Sequence, residues 1–189
     1  MNAPTPIPAP AQPPSPYSSA FVTSNTETHT LSVLVDNEPG VLARVVGLFS
    51  GRGYNIESLT VAEVAHAEHL SRITIVTSGT PEAITQIRHQ LERLVPVRKV
   101  NDLTIEKPFI QRELAMIKVR GRGEHRAEAL RLADAFRARV IDATTESFVF
   151  ELTGAPTKID QYVELMRPLG LVEVSRTGVA AISRGPEAI

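Results

Sequence analysis

The chain has 189 residues, room for one large domain or two small ones, with ordinary globular shares of apolar (42%) and charged (22%) residues. A net charge of -1 and 5% aromatics, with no Trp, argue against a nucleic-acid face, which needs a basic field and stacking rings. The absence of Cys excludes disulfides, thiolate catalysis and zinc–thiolate sites and suits a reducing cytoplasm, and no apolar run reaches the roughly 18 residues of a membrane span.

Residues 2–19 read NAPTPIPAPAQPPSPYSS, with seven Pro and no charge. Pro removes backbone donors and little here could bury an apolar face, so residues 1–27 are expected to be a disordered tail. The segment has neither a basic n-region nor a long apolar h-region, so it does not read as a secretory signal. It lacks the Arg of a transit peptide, and no basic residue flanks the Pro run as in a PxxP ligand.

Regular patterning begins at residue 28. Leu31, Val33 and Val35 alternate as in a strand. Asp36-Asn37-Glu38-Pro39-Gly40 follows as a loop with helix-start chemistry, in which Asn37 can cap and Pro39 is tolerated in a first turn. A helix is expected next, with Val41, Val45, Leu48 and Phe49 on one face and Gly51 and Gly53 at its end. Tyr54 to Glu63 reads as a second strand, His66-Ala67-Glu68 as a turn and Leu70 to Thr77 as a third strand. Thr80-Pro81-Glu82 opens an amphipathic helix carrying Ile84, Ile87, Leu91 and Leu94, and Val95 to Glu106 supplies a fourth strand. The order is βαββαβ.

After a short linker around Lys107-Pro108, the plan repeats. Leu114 to Val119 reads as a strand, and Glu124 to about Arg139 as a helix with Ala129, Ala133, Phe136 and Val140 on one stripe. Short strands follow at Ile141 to Thr144 and Phe148 to Leu152. Pro156 to Arg167 reads as a helix with Ile159, Val163 and Met166 inward. Leu171 to Arg176 reads as a strand that Val179 to Ile182 can extend. The fold class is therefore α+β, two ferredoxin-like βαββαβ domains in tandem at 28–106 and 107–189. Each half has a small core and leaves one sheet face uncovered, so at least a dimer is expected.

No nucleophile elbow, phosphate loop or pair of catalytic carboxylates is evident. His66 and His69 are close in sequence but too few for a metal site. Arg120-Gly121-Arg122-Gly123 reads more simply as a strand end and flexible turn than as an anion site. The loop Asp36 to Leu42 is the exception. Gly40 stands where a helix starts, and its missing Cβ lets a ligand approach first-turn amides that favour a carboxylate. Asn37 can offer a carbonyl to an ammonium. These are the parts needed to hold the head of a free amino acid, although from the spacing alone they read more simply as a plain cap and turn.

The run from Leu31 through Glu38-Pro39-Gly40-Val41-Leu42 resembles the opening of an ACT domain, an amino-acid-binding regulatory module. More narrowly, Arg44 to Ala62 (RVVGLFSGRGYNIESLTVA), Leu70-Ser71-Arg72, Gln86 to Val100, Arg112-Glu113-Leu114 and Val174 to Gly185 (VSRTGVAAISRG) resemble the small regulatory subunit of acetolactate synthase. The resemblance covers residues 28–186; the Pro-rich tail and the turn from Val64 to His69 depart from it.

The resemblance implies a non-catalytic chain with no cofactor of its own. Its larger catalytic partner uses thiamine diphosphate, magnesium and FAD to condense pyruvate with pyruvate or 2-oxobutyrate, on the route to the branched-chain amino acids. The small subunit would activate that partner and confer feedback inhibition, commonly by valine. It implies an effector site between two ACT domains of a homodimer, with Asn37, Gly40, Val41 and Leu42 from one chain and Asn55 and Ile56 from its mate. Ala62 is a weaker candidate from the same motif. A free-standing amino-acid sensor without an enzyme partner is the alternative. An acylphosphatase-like enzyme would need an Arg in the first loop, which Asp36 to Leu42 lacks.

Overall fold

The strand expected around Leu31 to Val35 runs from Glu27 to Asp36 (β1) in the computed structural model, which describes residues 26–106 and 108–186. The tail reading of residues 1–27 thus lies outside the described residues except at its last two positions, and Glu27 already pairs in β1. Odd-numbered β1 residues Leu31, Val33 and Val35 are buried under two helices, α1 (Val41–Ser50) and α2 (Pro81–Glu92). These helices contribute Val41, Val45, Phe49, Ile84, Ile87 and Leu91 to the same core. α2 starts as its sequence dictates, with Thr80 Oγ1 accepting from the Ala83 amide and Pro81 in the first turn.

The sheet is completed by β2 (Ser58–Ala65), β3 (Leu70–Gly79) and β4 (Val97–Asp102), all antiparallel in the order β2-β3-β1-β4. A short 3-10 turn, His66–Glu68, joins β2 to β3. Two expected boundaries shift. Tyr54 to Glu57 is not strand: Gly53 sits at φ +69, and the Tyr54 ring turns onto Phe49, edge to face at 6.3 Å. Leu103–Glu106, expected as the end of a strand, is a helical turn (α3) against the helix-free sheet face, with Leu103 buried. The imidazole of His29, for which the sequence offers no partner, is buried with Nδ1 2.6 Å from Asp102 Oδ2, tying β1 to the end of β4.

The second half follows the same plan. β5 (Phe109–Arg120), β6 (Arg139–Ala143), β7 (Ser147–Gly154) and β8 (Leu171–Arg176) form an antiparallel sheet ordered β6-β7-β5-β8. It is covered on one face by α4 (Glu124–Phe136) and α5 (Pro156–Met166). Val140 leaves the helical stripe expected for it. α4 stops where Arg137 turns left-handed at φ 58, so Val140 lies in edge strand β6 and is exposed. β9 (Ala180–Ser183) continues the β8 edge along β5 after a break at Thr177–Val179, pairing with Phe109–Arg112. Together the two sheets make a tandem of ferredoxin-like α+β layers.

Tyr162 rather than Val163 is the central α5 residue of the second core. It is fully buried, with its ring 5.2 Å from Phe136 and 6.3 Å from Phe150. Its hydroxyl has no hydrogen-bond partner, and burial raises its pKa well above the usual phenol value. An unpaired buried hydroxyl opposes folding by about 1–3 kcal/mol relative to a paired one, so its deletion removes a penalty rather than a bond. Tyr162→Phe is therefore expected to leave the unfolding free energy unchanged or raised by up to about 1 kcal/mol in urea denaturation. A loss of similar size would reveal a partner for the hydroxyl.

Candidate functional site

The loop after β1 is pinned by its backbone. The Asp36 amide donates to Pro96 O at 2.8 Å, and the Asn37 amide to His69 O at 2.7 Å. Asp36 also accepts from Arg98 Nε at 2.7 Å. The helix begins at Val41, with Gly40 left-handed (φ 85, ψ -4) at its N-cap and no side chain capping it. The capping role considered for Asn37 is therefore not the one it has: Asn37 lies three residues before the N-cap, exposed on the loop. Gly40 is needed for its backbone. A Cβ there would meet nothing within 4 Å, but φ +85 is a conformation that L side chains rarely adopt.

The first intrahelical bond runs from the Arg44 amide to Gly40 O at 3.0 Å. The amides of Leu42 and Ala43 precede it and stand at the positive end of the helix, as an anion site requires. Leu42 is 42% exposed at this end. Val41, expected to line the same pocket, is only 4% exposed and belongs to the core with Val45 and Phe49. It supports the site from beneath.

Asn55 and Ile56 lie elsewhere. Asn55 O accepts from Thr77 Oγ1 at 2.6 Å, and Thr77 is opposite His29 in the β1–β3 register. The Asp36 end of β1 is opposite Leu70. Seven strand residues separate the two ends, roughly 23 Å. One chain therefore does not bring Asn37, Gly40 and Leu42 together with Asn55 and Ile56; they occupy opposite ends of the first sheet. Ile56 is half-buried against the core and Asn55 is exposed. Ala62 is exposed on β2, between the two ends.

Other candidates resolve simply. His66 pairs with Glu63 at 2.9 Å, and its ring centroid is 6.2 Å from that of His69. Among the described residues no group of three or more His, Asp or Glu is placed to hold a metal. Arg122 pairs with Glu146, and Glu124 stands in the first turn of α4, which favours the turn reading of Arg120 to Gly123. A groove of about 680 Å³ separates the two halves. At one end Arg176 grips buried Glu113 through Nε (2.8 Å) and Nη2 (2.6 Å) and reaches Asp160 through Nη1 (2.7 Å). The Glu113 hydrogen bonds are the main reason that the guanidinium pKa is raised further. None of this network was visible in the sequence, whose Arg112-Glu113-Leu114 and Val174 to Gly185 stretches carried no assigned role.

A family model described as the small subunit of acetolactate synthase matches residues 112–185, and one described as an AHAS small subunit-like ACT domain matches residues 31–99. The probable acetolactate synthase small subunit of Archaeoglobus fulgidus is 45% identical over 157 residues, 83% of this chain and 97% of that protein. The chain belongs to the acetolactate synthase small-subunit family. The small subunit of Mycolicibacterium smegmatis is 43% identical over 168 residues, covering 89% of this chain and 98% of its own. The crystal structure of the Thermotoga maritima small subunit superposes with a TM-score of 0.76 at 37% identity, over 85% of this chain and 99% of that one. The tandem sandwich is thus the small-subunit fold, and the ACT match falls on the sheet that carries Asn37, Gly40 and Asn55. No helix among the described residues is long and apolar enough to cross a membrane.

Proposed function

We propose that this chain is the regulatory subunit of acetolactate synthase, activating a catalytic large subunit and conferring feedback inhibition by a branched-chain amino acid, valine foremost. Thiamine diphosphate, magnesium and FAD belong to that partner. The observation that carries the reading is the alignment with proteins named as small subunits over almost their whole length.

The geometry supports an effector site shared by two copies. β2 is an edge strand, with Val61, Ala62, Glu63 and Val64 exposed. Antiparallel pairing of two β2 edges about a two-fold axis would bring the start of one β2 to the end of the other. Asn55 and Ile56 of one chain then stand at the end where the mate presents Asn37, Gly40 and the free amides of α1. The amides and the helix dipole suit a carboxylate, the exposed amide side chains an ammonium, and Leu42 with Ile56 a branched aliphatic side chain.

Reconstitution tests this directly. The purified chain is expected to form no acetolactate from pyruvate, to raise the turnover of the large subunit from the same organism, and to make that complex sensitive to valine. An unchanged large-subunit rate, or a complex indifferent to valine, leucine and isoleucine alike, overturns the proposal.

A further inference from the structure

The two halves touch through a small joint whose polar part is unusual. β2 presents Ser58 and Thr60 on the sheet face away from its helices, and both hydroxyls engage one residue of the second half. The Val179 amide donates to Ser58 Oγ at 2.8 Å, and Thr60 Oγ1 donates to Val179 O at 2.7 Å. A side-chain pair on one strand thus takes both backbone groups of a residue in the break between β8 and β9. The neighbouring Gly178 makes that approach possible. It is left-handed at φ +82, and a Cβ there would lie 2.9 Å from Ser58 Oγ and 3.0 Å from Thr60 Cγ2. Around these bonds Val76, Leu103, Val179 and Ala181 form a separate buried cluster, with Phe109 against it.

The same joint is tied to the segment carrying Asn55 and Ile56. Asn55 O accepts from Thr77 Oγ1, and the Glu57 amide donates to Val76 O at 2.8 Å. Val76 belongs to the cluster between the halves, and Ser58 follows Glu57 directly. Any rearrangement of residues 55–57 therefore reaches Ser58 within one residue and Val76 through one hydrogen bond. Packing alone would be met by apolar side chains. Two hydroxyls on alternate residues instead demand one register, because a one-residue slip of β2 turns both to the opposite face. Beside the joint, a groove of about 680 Å³ lies between the halves.

We infer that Ser58 and Thr60 act through Gly178–Val179 as positioning residues that convey effector occupancy of the first half to the second. The inference rests on the regulatory reading above and specifies its route. Coupling of this kind is a differential contact between two states, commonly about 5–150-fold in affinity. Its loss separates binding from response, which a purely structural contact would not do.

The test uses the full chain reconstituted with its large subunit. Valine binding to the chain is measured by calorimetry and inhibition of the complex by titration, for the parent, Ser58→Ala/Thr60→Val and Thr60→Ser. The double variant is expected to bind valine within about threefold of the parent and still to activate, while half-inhibition needs at least about tenfold more valine. Thr60→Ser, which keeps the hydroxyl, is expected to retain inhibition. Parent-like inhibition of the double variant overturns the inference. So does equal loss of binding and inhibition, or failure of Thr60→Ser to rescue. If the double variant does not fold, Thr60→Val alone is judged by the same criteria against Thr60→Ser. A parent that neither binds nor responds overturns the regulatory reading, and the joint with it, before any substitution is made.

Discussion

A chain carrying Gly40→Asp is expected to lose feedback inhibition while Gly40→Asn largely keeps it, with activation of the catalytic subunit intact in both. The comparison turns on backbone and charge. Gly40 is left-handed at φ +85, and Asn and Asp are the side chains that tolerate this conformation best. In either variant the added Cβ meets nothing within 4 Å. The two variants therefore share their strain and nearly their shape. Only Asp places a negative charge where the effector's carboxylate would meet the Leu42 and Ala43 amides. At about 5 Å and an effective dielectric near 20, that repulsion is worth about 3 kcal/mol, or roughly a hundredfold in affinity. The helix dipole adds about 0.3–1 kcal/mol by holding the Asp side chain in the ligand's place. Valine titrations of the reconstituted complex, with melting temperatures as a control on folding, decide the matter. Equal curves for Asp and Asn would remove the carboxylate from this helix end.

Gly170→Ala is expected to destabilise the second half selectively. Gly170 sits at φ +100 between the turn after α5 and the start of β8, where its carbonyl accepts from the Arg120 amide at 2.8 Å. An added Cβ would fall 2.0 Å from Arg120 O, and that oxygen is backbone and has nowhere to go. The left-handed φ costs about 1–2 kcal/mol and the forced displacement about 1–3 more. A half of this size has only about 4–11 kcal/mol in total. The melting temperature of the second half should fall by about 10 °C or more. Hydrogen exchange read separately over residues 27–102 and 109–183 is the measurement. Loss spread evenly over both sheets, or no loss, contradicts it.

The legible parts of the fold were those written in local periodicity. Val41, Val45 and Phe49, then Ile84, Ile87 and Leu91, stand at helical spacing, and they are the residues buried in α1 and α2. Leu31, Val33 and Val35 alternate and are buried in β1. Boundaries failed where a tertiary contact decides them. Tyr54 leaves the strand pattern to pack on Phe49, and Arg137 ends α4 in a conformation no neighbouring residue announces. Ile159 and Met166 are buried and Val163 packs against the core as its spacing suggested, but the stripe left out Tyr162, because helical spacing fixes a face only to within one position and here an aromatic fills the centre. At the candidate site, Gly40 was legible from its place before a helix. The pocket-lining role given to Val41 conflicts with the burial that its helical spacing with Val45 and Phe49 already indicated. Pairings such as His29 with Asp102, Arg176 with Glu113 and Thr60 with Val179 join positions more than 60 residues apart, and nothing local encodes them.

The pairing of Ala180–Ser183 with Phe109–Arg112 also sets an order of events during synthesis. All four strands of the first sheet lie between Glu27 and Asp102, so they are complete before β5 leaves the ribosome. The opening residues of β5 must wait for β9, roughly 70 residues later, about 4–15 s at ordinary elongation rates. Until then Phe109, Leu103 and Val76 lack the Val179 and Ala181 that cover them. The nascent chain therefore carries a folded first half with an uncovered apolar patch and an unpaired strand edge, the species most exposed to chaperone capture. The last strand among the described residues, β9, is the one that closes both.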